Sequence, residues 1–424
     1  VTVRRSLNSG GNAFAAEMLC ENGKLIKTTL YSYDSYGNCI KKKEETSPSV
    51  FSITSYEYSS LYSSRFPTSV TVKTTDADSR PLSYTTEFTY DSFGNCLSKT
   101  DSCKTVYTTY DKLNRIVEEK LEDGSVRTTT YDDLNNTVFT VDAAGKKLLY
   151  SYEKYGKLKS VKDTVSGGIL YLCSYNSVGL PISETDALSS KVSYSYDSVG
   201  RVTSLVLSDK NKNILRRRQI SYNEAYKGGV LLTVSEGSPA RITEYVFDSM
   251  DNLIRKSRIS GGEVRSEIMT YDFFGNMLSK TTPGGSTTTY TYDIFGNPLK
   301  EILPDGNINF YEYDFLGNIL SVTNPLGERK EYVFDSLGRN IKTVFPCDGA
   351  SAVTKMYYDS RGNLTSVVSP NGGKTENTYN ARGFLVRERV YSSYDEYIQT
   401  DYTYNKEGSL TSSDVSGTGG NTHT

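Results

Sequence analysis

Aspartates at regular intervals are the residues of this sequence whose type and spacing best suit chemistry. Asp272, Asp293 and Asp314 follow one another at intervals of 21 residues. Carboxylate oxygens are the ligands that Ca²⁺ prefers, but a calcium site needs about six to eight oxygens converging on one ion. One carboxylate in 21 residues does not supply that set. We therefore expect these aspartates to cap turns, with calcium binding as the alternative.

Nucleophilic and metal chemistry lack the residues they need. The sequence has one histidine, His423, near its C-terminus, so a Ser-His-Asp arrangement cannot be assembled around it. None of the six cysteines forms a Cys-x-x-Cys pair, and no zinc set can be built. Glutamate pairs such as Glu44-Glu45 lie in lysine-rich stretches that resemble a solvated surface. We predict no enzyme, no cofactor and no metal site.

The cysteines have a simpler interpretation. Cys39 and Cys96 occupy the same position of a repeated motif, and we expect both to be small residues of a strand. Cys96 and Cys103 could also face each other across a turn, and the sequence leaves that alternative open.

The charge balance argues against nucleic acid as a partner. Lys plus Arg number 48 and Asp plus Glu number 50, for a net charge of −2, whereas nucleic-acid binding favours a basic excess. The basic run Arg216–Arg218 is expected to be a solvated loop or strand edge, although contact with phosphate or an acidic partner is an alternative. No stretch of about 18 apolar residues exists, so no membrane-spanning segment is predicted.

The regular aspartates belong to a repeat that fills almost the whole sequence. An aromatic anchor precedes each of them, and sixteen anchors occur, most of them 20–26 residues apart. The anchor is Tyr fourteen times and Phe twice. The clearest anchors are Tyr33, Tyr90, Tyr271, Tyr292, Tyr313, Phe334 and Tyr358.

The residue four positions after each anchor indicates a tight turn. It is Gly in twelve units, and three of the remaining four have Asn114, Asn135 or Asp251 there. These types tolerate a positive φ. Because Asp bonds backbone amides two residues on, the pattern predicts a type I turn closed by a G1 bulge. The predicted turn pairs are Asp34 and Gly37, Asp91 and Gly94, Asp272 and Gly275, Asp293 and Gly296, Asp314 and Gly317, Asp335 and Gly338, and Asp359 and Gly362.

The flanks of the turn are predicted to be strands. Tyr or Phe recurs two residues before the anchor in nine units, and Thr, Ser and Val surround it, which is the alternation of a strand. Several units end in a second, looser turn such as Pro304-Asp305-Gly306. Each unit is therefore a hairpin, and because a lone hairpin is marginal, neighbours must pair. The predicted fold class is all-β, a tandem array of antiparallel hairpins in one long ribbon of roughly 34 strands.

The boundaries of the array follow from where the motif weakens. We predict a partial first repeat at 1–24, the hairpin array at 25–412 with an irregular, long-looped zone at about 205–246, and a flexible polar tail at 413–424. The wide gap between the anchors at 33 and 90 is predicted to hide one or two degenerate units, with Tyr56-Glu57-Tyr58 as a candidate.

The motifs at 33–38, 90–95, 271–276, 292–297 and 313–318 resemble the tyrosine-aspartate (YD) repeats of rearrangement-hotspot (Rhs) proteins. Similar repeats occur in the B and C components of insecticidal toxin complexes, in bacterial wall-associated proteins and in teneurins. The resemblance implies a curved or spiralling sheet strip that forms a hollow shell around a C-terminal toxin domain, in a secreted or cell-surface protein.

The sequence departs from that family pattern in one respect. The Asp-Pro-x-Gly self-cleavage motif of the family is absent, and the nearest strings are Asn324-Pro-Leu-Gly327 and Asp142-Ala-Ala-Gly145. No catalytic residue can therefore be transferred from the family. Because the sequence begins at Val1 and its ribbon, on the order of 160 Å long, makes about one turn of a wall, we expect a fragment of a larger shell.

Two functional hypotheses remain. The first is a structural wall segment whose partners are the rest of its own longer chain and a C-terminal toxin domain. The second is an extended surface adhesin that binds cell-surface glycans through its Tyr-rich faces, because aromatic platforms with hydroxyls suit sugars. Cross-strand packing is the simpler explanation of the tyrosines.

Replacing Gly296 with Val tests the turn alone. A β-branched side chain in the left-handed region should destabilise the hairpin by about 1–2 kcal/mol. Equilibrium unfolding in urea measures the change. A variant that unfolds at the same urea concentration as the parent contradicts the proposed turn.

Overall fold

The computed structural model describes residues 2–7, 14–21, 24–47, 50–101, 104–226, 229–237, 240–347, 350–392, 396–405 and 408–417. These residues form 36 β-strands and one 3-10 helix, Ser60–Tyr62. They divide into two compact units. Unit 1 comprises residues 1–127 and 309–424, and unit 2 comprises residues 128–308.

The first part of unit 1 contains ten strands, before β11 begins at its border. They are β1 Thr2–Leu7, β2 Phe14–Glu21, β3 Lys24–Tyr33, β4 Cys39–Ser47, β5 Val50–Tyr58, β6 Pro67–Thr75, β7 Pro81–Tyr90, β8 Cys96–Thr100, β9 Thr105–Tyr110 and β10 Ile116–Leu121.

Unit 2 contains the next sixteen strands, the first of which starts two residues before the border. They are β11 Val126–Asp132, β12 Thr137–Val141, β13 Lys147–Tyr152, β14 Leu158–Asp163, β15 Ile169–Tyr175, β16 Pro181–Asp186, β17 Lys191–Tyr196, β18 Val202–Ser208, β19 Ile214–Tyr226, β20 Gly229–Glu236, β21 Arg241–Phe247, β22 Leu253–Ser260, β23 Glu263–Tyr271, β24 Met277–Thr281, β25 Thr287–Tyr292 and β26 Pro298–Ile302.

The second part of unit 1 contains the last ten strands, the first of which begins one residue before the border. They are β27 Ile308–Tyr313, β28 Ile319–Thr323, β29 Arg329–Phe334, β30 Asn340–Cys347, β31 Ala350–Tyr358, β32 Leu364–Val368, β33 Lys374–Tyr379, β34 Leu385–Tyr391, β35 Tyr397–Tyr404 and β36 Leu410–Gly417.

Within each unit the strands pair antiparallel with their neighbours in sequence. In β23 and β24, for example, Ile268 lies opposite Thr281 and Tyr271 lies opposite Met277. The same meander runs through β1–β10, β11–β26 and β27–β36. Alternate residues of a strand face opposite sides, and β7 accordingly alternates between exposed and half-buried positions. The predicted all-β array of antiparallel hairpins is confirmed.

The array is a thin sheet rather than a layered core. Only six apolar residues are buried among the described residues, whereas most strand positions are half-exposed. A sheet of this kind depends on the side chains that link one hairpin to the next.

The hydroxyls of the anchor tyrosines provide that link. The Tyr292 hydroxyl donates to the carbonyl of Met277 at 2.6 Å, and Met277 is the first residue of β24, directly after the preceding Tyr-Asp turn. Each such bond fastens a hairpin to the one before it. Tyrosines that make this bond include Tyr58, Tyr90, Tyr110, Tyr175, Tyr196, Tyr222, Tyr271, Tyr292, Tyr358, Tyr379 and Tyr404.

Tyr58 shows what fills the wide gap between the anchors at 33 and 90. It ends β5 and donates to the carbonyl of Cys39 at 3.0 Å, as the regular anchors do. The degenerate unit replaces the tight turn with the 3-10 helix and resumes at β6.

The start of the predicted tail and the predicted long loops differ from the structure. The polar tail was placed at 413–424, but β36 extends to Gly417, which lies opposite Ile398, because pairing with β35 satisfies its backbone. The zone at 205–246 was expected to have long loops, but β19 is a strand of 13 residues. Residues 418–424, with His423, lie outside the described residues.

The thiol of Cys96 is free and contacts the Ser98 carbonyl at 3.3 Å. Cys39 makes the equivalent contact with Lys41 at 3.5 Å, so both occupy the same place in their repeats. Cys103 lies outside the described residues.

Changing Tyr292 to Phe removes the hydroxyl that links two hairpins. We expect a loss of about 0.5–1.5 kcal/mol of unfolding free energy, the usual net value of one hydrogen bond. Urea denaturation followed by circular dichroism measures it. Tyr36→Phe, at a residue that is 81% exposed, is the control and should leave stability unchanged; equal effects of the two changes would contradict the role of the bond.

Candidate interaction site: the Tyr-Asp turns and the seam

The Tyr-Asp turn has one backbone geometry through most of the array. In the unit that begins at Tyr271, the Gly275 amide donates to the Asp272 carbonyl at 3.2 Å, and the Asp272 amide donates to the Asn276 carbonyl at 2.9 Å. Gly275 has a φ of 86°. This is the hydrogen-bond pattern of a type I turn followed by a left-handed bulge residue. All twelve glycines at this position have positive φ.

The aspartate of the turn is fully engaged by its own turn. Its Oδ1 accepts from the amides of Phe274 at 2.8 Å and Asn276 at 2.9 Å, and its Oδ2 accepts from the Asn276 side-chain amide at 2.9 Å. The Asn276 side chain, with these backbone amides, lowers the pKa of Asp272 below its ordinary value. We call this arrangement the aspartate lock. The same set of contacts surrounds Asp34, Asp91, Asp248, Asp293, Asp314 and Asp359.

The residue four positions after the aspartate completes the lock. Where it is Arg, as in Arg115 and Arg201, the guanidinium Nε donates to the carboxylate at 2.8 and 2.7 Å. Where the cap is Asn instead of Asp, the following residue varies: Asn176 and Asn380 are followed at that position by the apolar Leu180 and Phe384, and Asn405 is followed by Ser409. A carboxylate has a second oxygen that needs a donor, whereas an amide does not. The recurrence of Asn or Arg four positions after Asp is visible in the sequence and could have indicated the second half of the lock.

Four of the sixteen units lack Gly at the left-handed position, and in one of them, at Tyr222, β19 continues to Tyr226. Asn114 and Asp251 have φ values of 59° and 63° there. In the third unit the left-handed residue is Asn136, with a φ of 51°. The assignment of that role to Asn135 is wrong, because a longer turn joins β11 to β12 and Asn135 instead donates its side-chain amide to Asp132 at 2.6 Å.

The predicted turn residues are not brought into a common cluster. Each pair, such as Asp293 and Gly296, lies in its own turn at the end of its own hairpin. Within the described ranges, no group of three or more His, Cys, Asp or Glu is placed to hold a metal ion. The chemistry available at these turns is hydrogen bonding and packing.

Two distant parts of unit 1 meet along a contact that we call the seam. One side consists of the Tyr-Asp turns at 313–318, 334–339, 358–363 and 379–384, together with β31. The other side consists of Thr46 of β4, the end of β6 with the inter-hairpin turn at 76–80, Tyr84 of β7, Asp101 after β8 and residues 123–125 after β10. The seam therefore joins residues that are roughly 260 positions apart in the sequence.

Backbone groups of the turns dock directly at the seam. The amide of Phe315 donates to the Thr46 carbonyl at 2.8 Å. Ser336 donates its amide to the Thr74 hydroxyl at 3.1 Å and its hydroxyl to the Lys73 carbonyl at 2.9 Å. Thr46, Thr74 and Ala77 are buried, and so are the turn aspartates Asp314 and Asp335.

Arg339 connects the aspartate lock to the seam. It occupies the position after the turn glycine, and its Nε donates to Asp335 Oδ2 at 2.7 Å. Its Nη1 donates to the Asp359 carbonyl at 2.8 Å, and its Nη2 donates to the Tyr84 hydroxyl at 3.2 Å. The guanidinium also stacks on the rings of Tyr84 and Tyr358. The Arg339 side chain thus bonds to its own turn through Asp335, to the next Tyr-Asp turn through Asp359 and to the opposite side of the seam through Tyr84.

Charged pairs continue the seam on both sides of Arg339. Asp78 accepts from Lys355 Nζ at 2.6 Å and from the Tyr357 hydroxyl at 2.9 Å, and the Lys355 hydrogen bond is the main cause that lowers the pKa of Asp78.

Arg382 makes a similar contact further along the seam. It donates to the Ser125 hydroxyl at 2.7 Å and lies 3.4 Å from Asp123 Oδ2. The seam could not be predicted from the sequence, because its contacts join residues roughly 260 positions apart. Arg361 and Arg382 are the only visible sign, since they stand where most repeats have an apolar residue.

The repeat geometry defines a class of protein, the tandem Tyr-Asp hairpin array, and comparison with known families agrees. Residues 144–350 match the family described as the teneurin YD-shell, and residues 358–395 match the RHS repeat. The resemblance to YD repeats seen in the sequence is therefore confirmed over these two segments.

Toxin-complex structures are among the solved structures that match the chain. The crystal structure of TcdB2-TccC3 is 13% identical, with a TM-score of 0.46, and the match covers 98% of this chain and 31% of that one. The pore of the Photorhabdus luminescens Tc holotoxin is 13% identical, with a TM-score of 0.46 over 92% of this chain and 26% of that one. This chain thus spans between a quarter and a third of their length.

No curated protein sequence matches the chain. In the part of the chain that the structure describes, no helix is both long and apolar enough to cross a membrane.

Changing Arg339 to Asn tests the seam while leaving the aspartate lock intact, because Asn is the usual residue at this position. The variant loses the bonds to Tyr84 and Asp359, and we expect it to be destabilised by about 2 kcal/mol, as for a broken buried polar network. The shift of the urea midpoint measures the loss. Arg115→Asn, outside the seam, is the matched control and should cost clearly less. Equal losses would show that the seam contributes nothing.

Acid titration tests the aspartate lock. Because the fold lowers the pKa of Asp272 below its ordinary 3.8, the carboxylate stabilises the fold above that pH, and the stabilisation is lost as the pH falls below it. The double variant Asp272→Asn with Asn276→Leu copies the natural pair Asn176 and Leu180. We expect its melting temperature to fall less than that of the parent between about pH 5 and pH 3. An identical fall in both proteins would contradict the lock.

Proposed function

We propose that this chain is a structural wall section of an Rhs-type shell that encloses or presents a C-terminal toxin domain lying outside this sequence. The seam is the observation that supports this most strongly. A sheet that must retain a cargo needs its edges closed by contact with another row of hairpins, and in unit 1 the Tyr-Asp turns of one stretch dock on the inter-hairpin turns of another.

The chemistry of the turns suits a wall better than a catalyst. The carboxylates that recur along the chain are occupied by their own turns. The anchor hydroxyls are occupied by carbonyls of the preceding repeat. Such saturated groups build a rigid and chemically inert surface, as encapsulation of an active domain requires.

The toxin, the export route and the secreted or cell-surface location are the finer parts of this proposal. They rest on the matches to the YD-shell and RHS-repeat families and not on superposition with the toxin-complex structures. The partners that we propose are the remainder of a longer polypeptide and its toxin domain. The adhesin alternative is less well supported. The anchor tyrosines would have to form its glycan-binding surface, but their hydroxyls already donate hydrogen bonds to backbone carbonyls of the sheet.

Protease protection of the downstream product tests the wall function. The chain is expressed with the sequence that its gene encodes downstream, and trypsin is added at a concentration that degrades the downstream domain when that domain is expressed alone. We expect protection in the complete polypeptide and reduced protection in the Arg339→Asn variant. Equal degradation of the downstream domain alone and in the complete polypeptide contradicts enclosure.

The adhesin alternative has its own measurements. Specific binding on a glycan array, together with a wall anchor or membrane helix as the downstream sequence, would favour it over the shell. The shell predicts no glycan binding above background.

A further inference from the structure

The basic run Arg216–Arg218 lies near the end of a hairpin that extends past its neighbour in unit 2. Arg218 of β19 is opposite Glu236, the last residue of β20. The preceding residues of β19, Ile214–Arg217, pair with β18 and have no partner in β20. These four residues carry the β18–β19 turn about 13 Å beyond the end of β20. We call residues 209–218 the basic tip.

The basic tip is open to solvent along almost its whole length. Residues 210–217 are all exposed, and no longer unbroken exposed run occurs within the ranges that the structure describes. Two adjacent apolar residues are part of this run, since Ile214 is 54% exposed and Leu215 is 61% exposed. Neither side chain is buried by the sheet from which the tip extends.

The basic tip concentrates positive charge in a chain whose net charge is −2. It contains five cationic residues, Lys210, Lys212 and Arg216–Arg218, and one carboxylate, Asp209, for a net charge of +4. Asp209 is occupied as the cap of its own turn, where it accepts from the amide of Asn213 at 2.8 Å.

Neighbouring strands neutralise only a small part of this charge. Glu236 forms ion pairs with Arg216 and Arg218. Arg241 lies directly opposite Glu236 in β21, so one carboxylate is placed among three guanidinium groups. In the part of the chain that the structure describes, Lys210, Lys212 and Arg217 form no ion pair. The tip therefore presents uncompensated cations beside exposed apolar side chains.

The placement of these groups fits the surface of an anionic lipid bilayer. Successive side chains of a strand point to opposite faces, so Arg216 and Arg217 lie on opposite sides of the hairpin, while Lys210 and Lys212 lie in its turn. An extended peptide on one face would meet only part of this set. A layer of lipid headgroups that receives the end of the hairpin meets all of it, and the neighbouring apolar side chains can enter the boundary between headgroups and acyl chains.

Nucleic acid is a poorer fit to the same tip. Single-stranded nucleic acid is bound through aromatic side chains on which bases stack, and residues 209–218 include no aromatic residue. The two adjacent apolar residues would also stay in solvent if the tip contacted only phosphates.

We propose that the basic tip docks on membrane surfaces that carry anionic phospholipids. Its lysines and arginines contact the headgroup phosphates, and Ile214 and Leu215 insert between the headgroups. The charges and the apolar pair act together, because membrane binding grows with both electrostatic attraction and buried apolar area. This inference goes beyond the wall function and does not depend on it.

Co-sedimentation of the complete chain with lipid vesicles tests the proposal. One set of vesicles is an equal mixture of phosphatidylcholine and phosphatidylserine, and the other is phosphatidylcholine alone. The charge variant combines Lys210→Gln, Lys212→Gln and Arg217→Gln, none of which disturbs the ion pairs of Glu236. The apolar variant combines Ile214→Ser with Leu215→Ser.

Each variant has a matched control elsewhere on the surface. Lys99→Gln, Lys112→Gln and Lys154→Gln together remove the same charge from exposed positions outside the tip. Leu113→Ser with Leu134→Ser removes two leucines that are 67% and 95% exposed, more than the apolar pair of the tip. Circular dichroism and melting temperature verify that every variant is folded.

We expect the parent and both controls to bind the mixed vesicles, to leave phosphatidylcholine alone unbound and to bind more weakly as salt is added. The charge variant should bind at least about tenfold more weakly, since each Lys or Arg near an anionic surface contributes to attraction. The apolar variant should bind at least about fivefold more weakly, since it loses the inserted area.

Several results would overturn the proposal. They are a parent that does not bind the mixed vesicles or binds both kinds equally, controls that lose as much binding as the tip variants, and an apolar variant that binds as the parent does. Tighter binding of the parent to polyglutamate or to duplex DNA than to the mixed vesicles would also overturn it, in favour of an acidic protein or of nucleic acid.

Discussion

The carboxylate of the turn aspartate is the group on which the architecture depends. One oxygen accepts from two turn amides, as in Asp293 with Phe295 and Asn297, and the other accepts from the side chain that follows the glycine. The lock fixes the turn, the turn fixes the register of its two strands, and the register places the anchor tyrosine next to the preceding hairpin. Few apolar residues are buried in this sheet, so apolar burial contributes little to selecting one strand register. The hydrogen bonds of the turns must therefore set the register.

At the seam, an aspartate lock also takes part in the contact between two distant stretches of hairpins. Arg339 takes the position that Asn usually fills, and its longer side chain satisfies Asp335 while still reaching Tyr84. Asp335 is nearly fully buried there, whereas most other turn aspartates are partly exposed. A repeat can therefore change from a free turn to a docked turn through one or two side chains, without altering its backbone.

The sequence allowed the local structure to be predicted because the relevant interactions lie within six residues. The recurrence of Gly, Asn or Asp four positions after the anchor predicts the left-handed residue, and Asp one position after the anchor predicts the cap. The error at Asn135 arose because a longer turn moves the left-handed residue to Asn136. The hydroxyl bond of Tyr292 and the contacts of Arg339 were not predicted, since they depend on how neighbouring hairpins stack and on how distant rows meet.

Hydrogen exchange at the turn amides tests the aspartate lock most directly. The amides of Phe274 and Asn276 lie in a turn at the surface, and we expect both to exchange slowly because they donate to Asp272. Replacing Asp272 with Ala should return both amides to fast exchange while the strand amides of β23 and β24 remain protected. Fast exchange of Phe274 and Asn276 in the unmodified chain would contradict the central role of the lock.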